Sequence, residues 1–307
     1  MSRVAVVDIG SNSTRLLVAD VQDGHVTAEL ERVSTVTRLG TGVDRDGRLR
    51  EDAMDRTFTT LGGYADKSQE LGAEQRIAVL TSAVRDSANG EEFAGQVSER
   101  FGFEPHILRG EDEARLTFLG ATSDRDPADG TPTLVFDIGG GSTEMVIGSG
   151  HEMSFHVSTQ AGVVRQTERH LHHDPPREDE QRELSQDAAE ILAAAVPEAE
   201  RRHVQQAIAV AGTATSLAAI AQDLEPYDPA RVHGYELSLE QCTVIGRRLA
   251  GLPLEERKQV KGLHPDRAGT IIAGVLIFTE VARLFDLRTV EISEHDILRG
   301  AALGLAR

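Results

Sequence analysis

The chain has 307 residues, which at roughly 100–200 residues per domain suggests two domains with sizeable cores. Lys and Arg total 32 against 50 Asp and Glu, a formal net charge of −18; this argues against nucleic acid as a partner, whose binding faces need basic side chains to replace phosphate counterions, but leaves room for a small anion site of backbone N–H groups and a metal. A single cysteine, Cys242, cannot form an internal disulfide, and the longest apolar stretch is far short of the ~20 residues of a membrane span, so a soluble, cytoplasmic chain with no membrane partner is expected.

Residues 4–18 read VAVVDIGSNSTRLLV. An apolar, β-branched run, a turn of small residues and a second apolar run predict two antiparallel strands joined by a tight loop. Strand and loop follow over 32–50, then an amphipathic helix over 51–71, where Met54, Phe58, Leu61 and Ala65 recur at helical spacing. A strand is expected at 76–80, a polar loop at 81–86, a helix at 91–101, a short strand at 106–108 and a helix at 111–120. The stretch SDRDPADGTP over 123–132 has the composition of a linker. It sets a boundary between a first domain, 1–125, and a second, 126–307.

The second domain opens as the first does. Residues 133–147 read TLVFDIGGGSTEMVI, which repeats Asp-Ile-Gly-x-x-Ser-Thr between apolar runs. The economical inference is a duplicated α/β domain, each copy beginning with the same hairpin. Helical patterns follow over 175–196, 212–221, 239–250, 265–284 and 296–306, with strands at 207–210 and 289–292. Alternating strands and helices make the class α/β.

Several segments carry the residue types of phosphate chemistry. The loops Gly10, Ser11, Asn12, Ser13 and Gly139, Gly140, Gly141, Ser142, Thr143 hold little side-chain bulk, so backbone N–H groups can converge on an anion and phosphate can approach closely. Asp8 and Asp137 stand at the loop entrances, as a Mg²⁺ site beside phosphate requires. In Gly110-Glu111-Asp112-Glu113-Ala114 the acidic residues either stabilise a helix start or supply, in Glu113, a general base. Arg85, in TSAVRD, follows a strand, where α/β proteins place ligand contacts; it reads equally as a solvated arginine paired with Asp86. Gly212 and Thr213 open a helix after a strand, which suits an anion-proximal turn or a close-packed strand–helix turn. His170-Leu171-His172-His173-Asp174, with poor spacing for a shared metal, reads as a solvated loop. Cys242 reads as a small buried hydrophobe.

DIGSNS (8–13), TSAVRD (81–86), G-x-x-E-A (110–114), DIGGGSTE (137–144), GTAT (212–215), PDRA (265–268) and S-x-x-x-x-L-R-G (293–300) occur in this order along essentially the whole chain. Together they resemble the exopolyphosphatase/pppGpp phosphohydrolase family, of the superfamily of actin, the sugar kinases and the heat-shock chaperone ATPases. The resemblance implies two ribonuclease-H-like domains hinged around a cleft, with the final helix, about 296–307, packing back on the first. It implies Mg²⁺-dependent hydrolysis of a phosphoanhydride, with Mn²⁺ as an alternative ion, and a homodimer. Glu113 matches the general base and Arg85 the arginine that contacts the transferred phosphoryl group. Glu144 matches a second catalytic or metal-positioning carboxylate, with Asp137 beside the ion; Arg267, in PDRA, joins the phosphate-binding set. Asp296 stands where the terminal motif often has Gly. Two substrates fit, inorganic polyphosphate and guanosine pentaphosphate. With three lysines and a chain that stops at Arg307, short polyphosphate is the expected preference. A nucleotide- or alarmone-binding sensor without hydrolysis is the rival class, and lacks a need for the G-x-x-E-A carboxylate.

Overall fold

The computed structural model describes residues 1–305; Ala306 and Arg307, inside the final helix expected from sequence, lie outside the described residues. The chain divides into two compact units. Unit 1 comprises Met1–Ser123 and the chain from His295 onward, and unit 2 comprises Asp124–Glu294. The class is α/β, and both units are built on one plan.

In unit 1 the strands are β1 (Ser2–Ile9), β2 (Ser13–Gln22), β3 (His25–Val36), β4 (Gln75–Leu80) and β5 (Glu104–Ile107). Their order is β3-β2-β1-β4-β5, antiparallel from β3 to β1 and parallel from β1 to β5. The run Val4–Val7 is fully buried, as an unbroken apolar strand with both faces covered must be. One face packs against helices Glu51–Glu70 and Gly90–Phe101 through Phe58, Leu61, Phe93 and Val97. The other carries Leu116, Ile297, Leu298 and Ala301, from helices Gly110–Thr122 and Ile297–Gly304. These two helices touch backbone to backbone. A Cβ on Gly300 would stand 1.8 Å from the Leu116 carbonyl oxygen, and one on Gly120 1.9 Å from that of Asp296. Only glycine allows such an approach.

Unit 2 has β6 (Thr133–Ile138), β7 (Thr143–Ser149), β8 (Glu152–Thr159), β9 (Gln206–Val210), β10 (Tyr235–Ser238) and β11 (Thr289–Ile292). The order β10-β11-β9-β6-β7-β8 repeats the unit 1 sheet and adds β10, antiparallel to β11, at one edge. Its core joins Leu134, Phe136 and Ile147 to Leu184 and Leu192 of helix Glu178–Ala195, Leu217 of helix Ala211–Ala221, Leu249 of helix Leu239–Ala250 and Phe278 of helix Ile271–Leu284.

Several strands and helices depart from the sequence reading. β3, β8 and β10 are half-exposed sheet edges; β8 alternates exposed polar and half-buried apolar residues over Glu152–Ser158, a period of two that the sequence reading passed over. Helix Val163–His170 buries only Val163 and Gln166. Thr81–Asp86, expected as loop, contains a helical turn over Ser82–Arg85. No helix among the described residues is long and apolar enough to cross a membrane.

Candidate active site

Each unit carries a Gly/Ser loop at the carboxyl end of a strand, β1 in unit 1 and β6 in unit 2, where α/β proteins place ligand contacts. In unit 1 the β1–β2 turn closes through Gly10 N–H donating to the Ser13 carbonyl at 3.0 Å. In unit 2 Gly139 N–H donates to the Ser142 carbonyl at 2.9 Å. The two loops therefore share one turn geometry, and Gly10–Ser13 and Gly139–Ser142 are all partly exposed; Thr143 is buried and donates its hydroxyl to the Ala161 carbonyl.

A later segment buttresses each loop. In unit 1, Thr37 and Arg38 N–H both donate to the Asn12 carbonyl, and Gly40 N–H to that of Ser11. In unit 2, Val163 N–H donates to the Gly139 carbonyl, and Val164 and Arg165 N–H to that of Gly140. A glycine makes each approach feasible: a Cβ on Gly40 would lie 2.8 Å from Ser11 Cβ, and one on Gly162 2.2 Å from the Gly141 carbonyl carbon. These bonds pull loop carbonyls toward the buttress, which leaves the amide side for an anion. Arg165 also donates Nε–H to the Gly141 carbonyl at 3.1 Å, bringing a guanidinium against the second loop. Sequence reasoning missed Arg165, Gly162, Arg38 and Gly40; a glycine and an arginine following each loop was the available signal.

Arg85 and Glu113 meet in unit 1. Arg85 Nη1 donates to Glu113 Oε2 at 2.9 Å and to the Leu108 carbonyl at 3.0 Å. Both side chains are partly buried, so the pair is better shielded than an exposed one. Asp86 is a second, longer partner at 3.4 Å. Burial pulls the Arg85 guanidinium down, but the Glu113 carboxylate outweighs it and holds the group above its ordinary value. Glu113 lies in the first turn of helix Gly110–Thr122, so it meets both a positive helix end and an arginine. Ser11 Oγ and Ser82 Oγ are hydrogen-bonded at 2.9 Å. That bond ties the first loop to the turn that carries Arg85.

The residues at the loop entrances differ between units. Asp8 lies opposite Arg15 across the β1–β2 ladder, and Asp137 opposite Glu144 across β6–β7. Asp8 is almost fully buried, and its Oδ2 accepts from Arg15 Nε at 2.9 Å and Nη2 at 2.5 Å. Arg15 Nη1 also donates to Asp296. The metal-side position expected for Asp8 is thus an arginine-bound one. Asp296 caps helix Ile297–Gly304, accepting from Leu298 N–H at 3.0 Å, which accounts for a carboxylate where the family motif often has Gly. Burial pushes the Asp8 carboxyl up against the pull of Arg15. Burial works on Asp296 the same way, but Arg15 and Arg32 hold it below the usual carboxylate range.

Asp137 and Glu144 form the opposite arrangement, two partly buried carboxylates in one register pair. Glu144 Oε1 accepts from Ser158 Oγ at 2.9 Å. Two acidic groups at one position repel unless a cation joins them, and their oxygens are the donors that Mg²⁺ and Mn²⁺ prefer. The donor set therefore fits a hard divalent ion. Nearby, Thr213 Oγ1 donates to the Ile138 carbonyl at 3.0 Å, fixing helix Ala211–Ala221 beside the end of β6. Arg267 Nη1 donates to the Gly212 carbonyl and Ser216 Oγ, both at 2.9 Å. Its guanidinium carbon would be 2.7 Å from a Cβ on Gly212, so glycine there lets the arginine lie flat on the backbone.

His170 ends helix Val163–His170, and the following 171–174 stretch is a largely exposed loop, as its reading as a solvated segment expects, with polar contacts of its own. Glu180 is buried and accepts from His172 and Arg177 N–H, with His173 Nδ1 at 2.7 Å. Those bonds, His173 first, bring its pKa to about 2. Asp174 meets the buried Arg257 at 3.2 Å. Cys242 is fully buried, with its thiol pushed up to about 12 by burial.

Comparison with known proteins agrees along the whole chain. Residues 17–305 match the model of the Ppx/GppA phosphatase family. Exopolyphosphatase 2 of Mycobacterium tuberculosis is 37% identical over 318 aligned residues, covering 100% of this chain and 99% of the relative. A crystal structure of an exopolyphosphatase-like protein is 33% identical with a TM-score of 0.89, covering 99% of this chain and 97% of the other. That of the Aquifex aeolicus family member is 31% identical with a TM-score of 0.85 and the same coverage. The protein belongs to the Ppx/GppA phosphatase family.

Proposed function

We propose that this protein is an exopolyphosphatase, a phosphoanhydride hydrolase that removes terminal phosphate from inorganic polyphosphate. The observation that carries the reading is the Glu113–Arg85 pair, tied through Ser82 and Ser11 to a Gly/Ser loop. A proton acceptor and a fixed positive charge side by side are what hydrolysis of a phosphoanhydride asks of a protein: one group to orient and deprotonate water, another to meet charge on the equatorial oxygens.

In this scheme Glu113 takes the proton of the attacking water and Arg85 contacts the phosphoryl group being transferred. The loops Gly10–Ser13 and Gly139–Thr143 hold phosphate oxygens through backbone N–H groups other than those of Gly10 and Gly139, which close the two turns. Arg165, Gly212, Thr213 and Arg267 add donors in unit 2. Asp137 and Glu144 would hold Mg²⁺, or Mn²⁺ in its place; Asp8 is already bound to Arg15 and is assigned no ligand role. What such a cation supplies when bound is neutralisation of phosphate charge and orientation of the leaving group. Short chains are the proposed preference and a homodimer the proposed assembly, which light scattering would check.

The test is phosphate release with Mg²⁺ from short polyphosphate, long polyphosphate and pppGpp in parallel, with Glu113→Ala as control. Fast release from short chains, lowered about 10²–10⁴-fold in a folded Glu113→Ala, is expected for loss of a general base. Release from pppGpp alone would move the function to alarmone conversion. Tight nucleotide binding with no release from any substrate would make the protein a sensor. Undiminished turnover in Glu113→Ala would remove the assigned base.

A further inference from the structure

We propose that Arg38 is a substrate-contacting residue, a guanidinium held by strained backbone beside the first loop to bind phosphoryl oxygens of the polyphosphate. The proposal rests on the reading of Gly10–Ser13 as a phosphate loop and adds a determinant of substrate affinity to it.

Arg38 has φ +52°, in the left-handed region that side chains other than Gly, Asn and Asp adopt at a cost. The conformation is imposed from several directions. Arg38 N–H donates to the Asn12 carbonyl at 2.9 Å; its own carbonyl accepts from Thr41 N–H at 3.2 Å and Thr41 Oγ1 at 2.8 Å. Next in the chain, Leu39 is fully buried, and Arg56 Nε–H grips the preceding Thr37 carbonyl at 3.1 Å. Strain that the surroundings fix so firmly is characteristic of functional positions. Glycine would meet the backbone requirement more easily, so the arginine needs another reason.

Charge accounting supplies it. Arg3, Arg15, Arg32 and Arg56 of the same unit each meet a carboxylate. Arg38 is exposed and, like Arg48, Arg76 and Arg109, meets no carboxylate among the described side chains; of these four it is the one bonded to the first loop. Its place on the loop is repeated in unit 2, where the buttress following the second loop also bonds that loop through an arginine, Arg165. A duplicated loop with a backbone-tethered arginine in both copies is the arrangement expected if both arginines serve a polyanion, since guanidinium groups make strong charge-assisted bonds to phosphate.

The experiment compares Arg38→Gly, Arg38→Asn and Arg38→Lys with wild type by steady-state kinetics on short polyphosphate and by calorimetric binding of inorganic tripolyphosphate. Arg76→Ala is the charge-matched control: Arg76 pairs with Ala5 four places before the loop end of β1, about 13 Å back along the strand. Arg38→Gly and Arg38→Asn should melt no lower than wild type, raise KM and tripolyphosphate Kd about tenfold, and leave kcat within about threefold. Arg38→Lys should recover part of the affinity, and Arg76→Ala should match wild type. If wild type hydrolyses polyphosphate while folded Arg38→Gly keeps KM and Kd within about twofold, the inference on Arg38 falls and the exopolyphosphatase reading stands. If wild type neither hydrolyses polyphosphate nor binds tripolyphosphate, both fall.

Discussion

The two opening hairpins share turn, register and buttress but differ in charge at the residue that follows the shared Asp-Ile-Gly-x-x-Ser-Thr. Opposite the entrance aspartate, unit 1 has Arg15 and unit 2 has Glu144. The change inverts the local charge. Asp8–Arg15–Asp296 is a closed ion cluster that fastens the first hairpin to the last helix. Asp137–Glu144 places two carboxylates at one register position, oxygen donors of the kind a hard divalent ion takes. One register position thus sets an ion cluster in one copy of the motif against a carboxylate pair in the other.

Exchanging these residues tests that division. Arg15→Glu would leave the buried Asp8 and Asp296 without their shared cation and add a third carboxylate. It should cost at least about 3–5 kcal/mol of stability, read as a lowered urea midpoint. The reciprocal Glu144→Arg should keep the melting temperature while lowering Mg²⁺-dependent phosphate release about 10²–10³-fold; retained activity would show that the pair is not needed for cation chemistry. Gly162→Ala forces a methyl into the Gly140–Gly141 backbone and should cost about 1–3 kcal/mol or more and raise KM. Gly40→Ala, whose Cβ would meet the Ser11 side chain at 2.8 Å, should be milder. The smallest effect belongs to unit 2 away from the loop. Glu180 sits at about 2 in the fold against an ordinary 4.5, so its stabilising contribution is complete above 4.5 and is lost as pH falls toward 2. In Glu180→Gln, scanning calorimetry should therefore show a weaker pH dependence of melting across that window.

The duplicated hairpin was legible because Asp-Ile-Gly-x-x-Ser-Thr sits between unbroken apolar runs, and such runs have one stable placement, inside a sheet. Glu113 and Arg85 were legible as candidates through their positions at a helix start and a strand end. Arg15 was not singled out. It sits inside an apolar strand, and its partner Asp296 lies 281 positions on, a pairing that no local pattern can signal. Arg38 was hidden for another reason: positive φ is a property of the folded backbone, and arginine does not advertise it. The edge strand β8 carried a legible signal that was passed over, since half-buried Met153, Phe155 and Val157 alternate with exposed polar residues along it; β3 keeps no such alternation beyond Glu31.

Connectivity of the first unit bears on biosynthesis. The helix that seals one face of its sheet, Ile297–Gly304, is the last element of the described chain, and residues 124–294 are made between the two parts of that unit. At about 5–20 residues per second, roughly 10–30 s separate the first part leaving the ribosome from arrival of the sealing helix. During that interval Val4, Val6, Leu17, Ile77 and Leu116 lack the cover of Ile297, Leu298 and Ala301. The nascent protein therefore presents an apolar face until the sealing helix is made, and a truncation before Ile297 would leave that face uncovered.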